Sequence, residues 1–106
     1  MSLLNMFKRA DINVGVDEFR NTQGAVLLDV RTKEEYNDGH IEGSINIPLQ
    51  NIYSMKTVIT DLDKHVFVHC LSGGRSAQAT SILKSMGYKY VENIGGISSF
   101  RGEIVR

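Results

Sequence analysis

The single cysteine opens a segment whose residue types could carry out nucleophilic chemistry. Cys70 follows the apolar run Val66-Phe67-Val68 and His69, and after it the chain reads Leu71-Ser72-Gly73-Gly74-Arg75-Ser76. Glycines permit a tight loop, and a loop that enters a helix can direct its amides and the positive end of the helix dipole at an anion. The segment therefore predicts an anion-binding loop around the sulfur of Cys70.

The same loop favours the ionised form of the cysteine. A free thiol has a pKa of about 8.5, and a helix amino terminus or a neighbouring cation lowers it. Cys70 is thus predicted to be a nucleophile that needs no histidine base, with Arg75 as the second catalytic residue. The residues expected to bind the substrate are Leu71, Ser72, Gly73, Gly74 and Ser76.

A purely structural interpretation of both catalytic candidates is also available. Cys70 could be a small buried hydrophobe at the end of a strand, and Arg75 could be an ordinary exposed helix residue. The Gly-Gly-Arg-Ser sequence that follows Cys70 favours the chemical interpretation.

The remaining candidate residues indicate structural support of the loop rather than a metal site. His40, His65 and His69 lack the spacing of metal ligands, and one cysteine excludes an internal disulfide and a thiolate-rich zinc site. We expect no metal and no cofactor. Asp29 and Arg31 are expected to form a structural ion pair that holds the loop end, although they could be a turn charge and a surface cation.

Short apolar runs alternate with helical patterns along the chain. Strands are predicted at 26–28, 45–47, 66–69 and 90–91, the third of them central and the last an inner strand. Thr32 and Glu35 form a capping-box pattern that predicts a helix at 33–37. One-sided helices are predicted after Pro48 and from Ser76 to a stop at Gly87.

This alternation predicts an α/β fold with a mostly parallel central sheet flanked by helices on both faces. In such folds ligands bind at the carboxyl ends of the strands. Cys70 and Asp29 both lie at that edge, so the predicted site agrees with the predicted fold.

Composition restricts the class of protein. A chain of 106 residues with 42% hydrophobic content fits one domain, residues 1–106. Twelve basic and twelve acidic residues cancel, which argues against a nucleic-acid or anionic-membrane partner. The segment 1–15 lacks the pattern of a signal peptide, and no later window is apolar enough to span a bilayer, so a cytoplasmic location is expected.

Several segments together resemble the rhodanese family from about Ile12 to the end. They are Leu28-Asp29-Val30-Arg31, Glu35-Tyr36, Gly39-His40-Ile41-Glu42-Gly43-Ser44-Ile45-Asn46-Ile47-Pro48 and Cys70-Leu71-Ser72-Gly73-Gly74-Arg75-Ser76. The resemblance implies a catalytic Cys70 and a loop from Cys70 to Arg75 that binds the substrate anion and a persulfide. Relatives commonly carry tryptophan shortly after Gly95-Gly96, where this chain has Phe100, which we expect to fill an apolar position.

The resemblance also implies a two-step sulfur transfer. The Cys70 thiolate would attack the outer sulfur of a donor such as thiosulfate or a protein persulfide, and sulfite would leave thiosulfate. The Cys70 persulfide would then pass its sulfur to cyanide, a small thiol or a protein thiol.

Three alternatives remain open at the level of sequence. The chain could be a persulfide carrier or an anion-binding regulatory module, and an exposed thiolate could act as a redox sensor. A cysteine phosphatase is the nearest other enzyme, but phosphatases place five residues between cysteine and arginine. Here four residues, 71–74, separate Cys70 from Arg75, and no aspartate general acid is evident.

Overall fold

A parallel four-stranded sheet organises the chain in the computed structural model, which describes residues 10–106. The helices are α1 (Ile12–Arg20), α2 (Lys33–Asp38), α3 (Met55–Val58) and α4 (Gly74–Ser85), with 3₁₀ helices at Leu49–Ser54 and Ile97–Ser99. The strands are β1 (Val26–Asp29), β2 (His40–Ile41), β3 (Ser44–Asn46), β4 (His65–Cys70), β5 (Tyr90–Gly96) and β6 (Ile104–Val105).

The strands are arranged in the order β3-β1-β4-β5, and every neighbouring pair is parallel. β2 and β6 form a separate antiparallel ribbon. The register places Asp29 opposite both Asn46 and His69, so the carboxyl ends of β1, β3 and β4 meet at one edge. The predicted mostly parallel sheet is confirmed.

Helices cover both faces of this sheet, as predicted. Because successive strand residues point to opposite sides, Leu28 and Val68 pack with Leu83 of α4, whereas Leu27 and Phe67 pack beneath α1. Cys70 belongs to the cluster on the α4 side.

Local sequence accounts for the helices that lead to the site. The capping box of α2 is present: the Glu35 amide donates to Thr32 Oγ1 at 3.2 Å, and the Thr32 amide donates to Glu35 Oε1 at 3.0 Å. α4 begins at Gly74, two residues before the predicted start. Helix α1 was not predicted from the sequence, although Asp11 caps it and Ile12 and Val16 have helical spacing.

Two predicted elements differ from the structure. β5 pairs with β4 alone among the described strands, so it is an edge strand rather than an inner one, and Tyr90 is 50% exposed. After Pro48 the chain forms a 3₁₀ helix and only then the short α3. Ile52 and Met55 are buried three residues apart, a spacing that matches the three residues per turn of a 3₁₀ helix.

Within residues 10–106, every helix is too short or too polar to cross a membrane. The predicted absence of a signal peptide rests largely on residues 1–9, which lie outside the described part of the chain. The cytoplasmic location stays a prediction.

Candidate active site

The sulfur of Cys70 lies where β4 ends and the chain turns into α4. The Gly73 amide donates a hydrogen bond to Cys70 Sγ at 3.0 Å, and the Ser76 hydroxyl lies 3.4 Å from the same sulfur. Only 1% of Cys70 is exposed. The structure therefore brings together at the sulfur two of the residues that the sequence placed in an anion-binding loop.

These contacts decide the ionisation of the thiol. Burial favours the neutral form, but hydrogen bonds from the Ser76 side chain and from the amides of Ser76, Gly73 and Ser72 outweigh it and lower the pKa of Cys70 below its ordinary value. The lowered pKa increases the thiolate fraction at neutral pH, and the thiolate is the nucleophilic form.

A polar network on β5 holds Ser76 in place. Ser76 Oγ lies 2.7 Å from Asn93 Oδ1 and 3.0 Å from the Gly73 carbonyl, while the Gly95 amide donates to Asn93 Oδ1 at 3.0 Å. A hydroxyl has one proton, so Asn93 Oδ1, the Gly73 carbonyl and Cys70 Sγ compete for the proton of Ser76. Sequence reasoning missed Asn93, whose local signal is an Asn-X-Gly at a bulge where Gly95 has φ +104°.

Two glycines allow the loop to fit against β5. Gly73 caps α4 with φ +108°, a conformation that L side chains rarely adopt. A Cβ on Gly96 would lie 2.2 Å from the Leu71 carbonyl oxygen, so only glycine permits this close approach. Gly74, by contrast, has open space where a Cβ would stand. Leu71 itself is 45% exposed at the rim.

Arg75 forms an ion pair with Glu35, a residue whose sequence pattern indicated only the capping box of α2. Its Nη1 and Nη2 donate to Glu35 Oε1 and Oε2 at 2.7 and 3.0 Å, and no hydrogen bond joins Arg75 to Cys70 Sγ in the described structure. The hydrogen bond from Arg75 outweighs burial and, with help from Thr32, lowers the pKa of Glu35 to about 2. Glu35 is therefore ionised at neutral pH and holds Arg75 through the capping box of α2.

Asp29 and Arg31 form the buried ion pair that the sequence suggested. Arg31 Nη2 lies 2.8 Å from Asp29 Oδ2, and the same nitrogen donates to the Gly39 carbonyl at 2.8 Å. The pair thus connects the end of β1 to the end of α2 rather than to the Cys70 loop. Its role as structural support for the site remains a proposal.

His69 adjoins Cys70 in sequence but belongs to the other side of the sheet. Burial outweighs the nearby Asp29 carboxylate and lowers the pKa of His69, so the ring is neutral at pH 7. Its Nε2 lies 3.9 Å from Asp29 Oδ2 and has no hydrogen-bond partner within residues 10–106. Among residues 10–106, no group of three or more histidine, cysteine, aspartate or glutamate side chains could hold a metal ion.

Surface grooves border the sheet. One of about 200 Å³ adjoins Arg75 and is lined mainly by Val30, Pro48 and Leu49, with Thr32 and Gln50 at its polar positions. A larger one of about 640 Å³ lies at the amino-terminal ends of β4 and β5, at the opposite end of the strands from Cys70. A third, shallow groove includes Ser72 of the loop. The groove beside Arg75 and this third groove are therefore the ones that adjoin the loop.

Comparison with known proteins agrees with this geometry. A sequence model described as the rhodanese-like domain matches residues 15–103. The chain belongs to the rhodanese-like family. The thiosulfate sulfurtransferase PspE of Escherichia coli (strain K12) is 44% identical over 71 residues, which are 66% of this chain and 68% of PspE. A solved structure titled as a rhodanese with anions from E. coli superposes with a TM-score of 0.72 at 38% identity, covering 77% of this chain and 98% of that one.

Rhodanese-like sequence also occurs inside longer relatives. The adenylyltransferase and sulfurtransferase uba4 of Ogataea parapolymorpha is 36% identical over 95 residues, which are 89% of this chain but 24% of that protein. In this rhodanese-like chain, Phe100 is partly buried and packs against the cluster beneath α1. Phe100 thus fills an apolar position, as expected from the sequence.

Proposed function

We propose that this chain is a sulfurtransferase that moves a sulfane sulfur from thiosulfate or a persulfide donor to a thiol acceptor through a persulfide on Cys70. The observation that carries the proposal is the Cys70 sulfur, held by the Gly73 amide and the Ser76 hydroxyl at the start of α4 with a lowered pKa. Similarity to PspE, named as a thiosulfate sulfurtransferase, supports it.

The proposed reaction has two displacement steps and needs no cofactor. In the first, the Cys70 thiolate attacks the outer sulfur of thiosulfate, the sulfur–sulfur bond breaks, and sulfite leaves with the bonding electrons. In the second, an acceptor thiolate attacks the outer sulfur of the persulfide and releases the Cys70 thiolate. Donor and acceptor bind in turn, so ping-pong kinetics are expected.

The loop would stabilise negative charge in both steps. The amides of Ser72, Gly73 and Ser76 would replace the hydration of the thiolate and then of the persulfide with fixed donors, as an oxyanion hole does. Arg75 would act beside the incoming donor, with its charge largely balanced by the Glu35 carboxylate that it binds. Leu71 and Gly74 would border the approach, Leu71 by its exposed side chain and Gly74 by leaving space open. This proposal takes residues 1–106 as one rhodanese-like domain.

A phosphatase reaction is less well supported by this site. It needs a general acid near the leaving group. The carboxylate beside Arg75 is Glu35, which is ionised above a pKa of about 2 and already bonds Arg75 through both oxygens. Asp29 is buried in its pair with Arg31. Glu35 therefore holds no proton for a leaving group at neutral pH, and Asp29 is occupied by Arg31.

Intact-protein mass spectrometry after incubation with thiosulfate tests the proposal. Wild type should gain the mass of one sulfur atom, cyanide should remove it, and Cys70→Ser should gain nothing. A persulfide that forms but transfers only to a protein thiol would identify a carrier. Hydrolysis of phosphate esters that depends on Cys70, without any sulfur adduct, would refute the proposal.

A further inference from the structure

The positive charge beside the Cys70 loop is already neutralised in the folded protein. Arg75 uses two nitrogens to bind both oxygens of Glu35, at 2.7 and 3.0 Å, and the side chains are 36% and 29% exposed respectively. Paired in this way, the guanidinium adds little net positive potential at the loop.

Two other arginines at this edge of the sheet also have a carboxylate nearby, Arg31 in an ion pair and Arg101 without one in the described part of the chain. Arg31 is buried against Asp29. Arg101 lines a shallow groove beside Ser72, and Asp11 lines the same groove. A dianionic donor would therefore be bound mainly by backbone amides and the helix dipole. Each of the three arginines, Arg31, Arg75 and Arg101, has a carboxylate nearby.

The small groove beside Arg75 also favours a donor that carries an apolar group. Val30, Pro48 and Leu49 make most of its wall apolar, and its volume of about 200 Å³ lies below the roughly 300 Å³ typical of the smallest drug-sized pockets. Thiosulfate has no apolar group to place there. A short alkyl chain attached to sulfur would fill it.

We propose that Glu35 sets the donor preference of this site, by neutralising Arg75, in favour of an organic persulfide R–S–SH over thiosulfate, with the group R in the groove formed by Val30, Pro48 and Leu49. This inference rests on the proposed sulfur transfer. The Cys70 thiolate attacks the outer sulfur, the bond between the two donor sulfurs breaks, and R–S⁻ leaves with the electron pair. The proton stays on the transferred sulfur, giving Cys70–S–SH.

The two donors differ in the charge brought to the loop. Attack on the protonated form R–S–SH involves one negative charge in total, that of the thiolate, and attack on the ionised form R–S–S⁻ involves two, whereas attack on thiosulfate involves three. The charge of Glu35 therefore opposes the thiosulfate reaction more strongly. Glu35 acts through Arg75 and through the local potential, so it is a positioning and specificity residue rather than a catalytic one.

Glu35→Gln removes this charge with little change in shape. Glutamine can also complete a capping box, so α2 should persist, which circular dichroism and thermal unfolding check. Glu34→Gln is the matched control, because it removes the same charge from the preceding residue of α2, which has no ion pair with Arg75 in the described structure. Sulfur transfer is measured with thiosulfate and with butanethiol persulfide, whose only ionisable group is its sulfur.

The expected result is a change in the ratio of kcat/KM for thiosulfate to kcat/KM for butanethiol persulfide. Glu35→Gln should raise this ratio about tenfold, which corresponds to about 1.4 kcal/mol. The change should shrink at high salt, because exposed charges are screened. Leu49→Ser should instead lower kcat/KM for the alkyl persulfide about fivefold and leave thiosulfate unchanged.

Failure of this inference can be distinguished from failure of the proposed function. If wild type forms no Cys70 persulfide with either donor, the sulfur-transfer proposal itself fails. If the persulfide forms but Glu35→Gln leaves the donor ratio unchanged, or Glu34→Gln changes it equally, the role of Glu35 is overturned. Equal losses with both donors in Leu49→Ser would overturn the placement of the alkyl group.

Discussion

Replacing Ser76 by alanine removes the side-chain donor to the Cys70 sulfur and so tests how this thiol is ionised. Ser76 is fully buried in the first turn of α4, and its oxygen lies 3.4 Å from Cys70 Sγ. Alanine keeps the helix and removes only the hydroxyl. The amide of Gly73, which lies 3.0 Å from the sulfur, remains in place.

The expected effect follows from the hydrogen bond that is lost. A bond to a charged acceptor contributes about 1.5–3 kcal/mol. The lower limit applies here because Ser76 Oγ is only 2.7 Å from Asn93 Oδ1, which competes for its single proton. Since 1.36 kcal/mol corresponds to one pKa unit, the pKa of Cys70 should rise by about one unit. Where the thiol is mostly protonated, its thiolate fraction falls about tenfold.

The pKa can be measured from the rate of iodoacetamide alkylation against pH, in parallel with the rate of sulfur transfer. Both profiles should move to higher pH in Ser76→Ala. Ser85→Ala is the matched control, because Ser85 lies at the far end of α4 and is exposed, with its hydroxyl bonded to the Ile82 carbonyl. An unchanged or lowered pKa in Ser76→Ala would refute the reasoning.

The free energy of unfolding should also depend on pH through the pKa of Cys70. The pKa of folded Cys70 is below its unfolded value, so ionisation adds stability as pH rises from the folded pKa to the unfolded one. That contribution is lost as pH falls through the folded pKa. Urea unfolding across this window should give a shallower pH dependence for Ser76→Ala than for wild type.

Two further substitutions test the supports of the site. Gly96→Ala should destabilise the fold by about 1–3 kcal/mol and abolish persulfide formation, because its Cβ would lie 2.2 Å from the Leu71 carbonyl oxygen. Urea unfolding measures the loss of stability, and mass spectrometry measures the persulfide. Asp29→Asn should cost about 3–5 kcal/mol in urea unfolding, because Arg31 is left as a buried charge without its partner.

Each of these substitutions has its own control. Gly74→Ala places a methyl group in open space, so it should retain the stability of wild type. Equal losses in Gly74→Ala and Gly96→Ala would contradict the steric explanation. Asp38→Asn removes the same charge from the end of α2, and a loss of stability as large as that of Asp29→Asn would contradict the importance of burial.

Most features near in sequence were predicted, with α1 as the exception. The capping box from Thr32 to Glu35 identified α2 because both of its hydrogen bonds join residues three apart. The apolar run before Cys70 identified β4, and Gly87 marked the end of α4. The helix predicted after Pro48 is present as a 3₁₀ helix followed by the short α3, and the burial of Ile52 and Met55, three residues apart, suits either helix type.

Features that depend on distant partners were not predicted. Arg75 and Glu35 are 40 residues apart, and Ser76 and Asn93 are 17 apart, so no local pattern relates them. The edge position of β5 depends on strand order, which chain order does not specify.

The sequence by itself determined the mostly parallel sheet and the position of Cys70 and its loop at the sheet edge, and it predicted Cys70 as the nucleophile, because these follow from residue type and short-range periodicity. Only the tertiary structure decided which groups face that nucleophile and which neutralise its neighbours. The packing of α2 beside the start of α4 pairs Arg75 with Glu35, and the bulge in β5 brings Asn93 to Ser76. Electrostatic and hydrogen-bond energies depend on distance in space, and folding alone sets those distances.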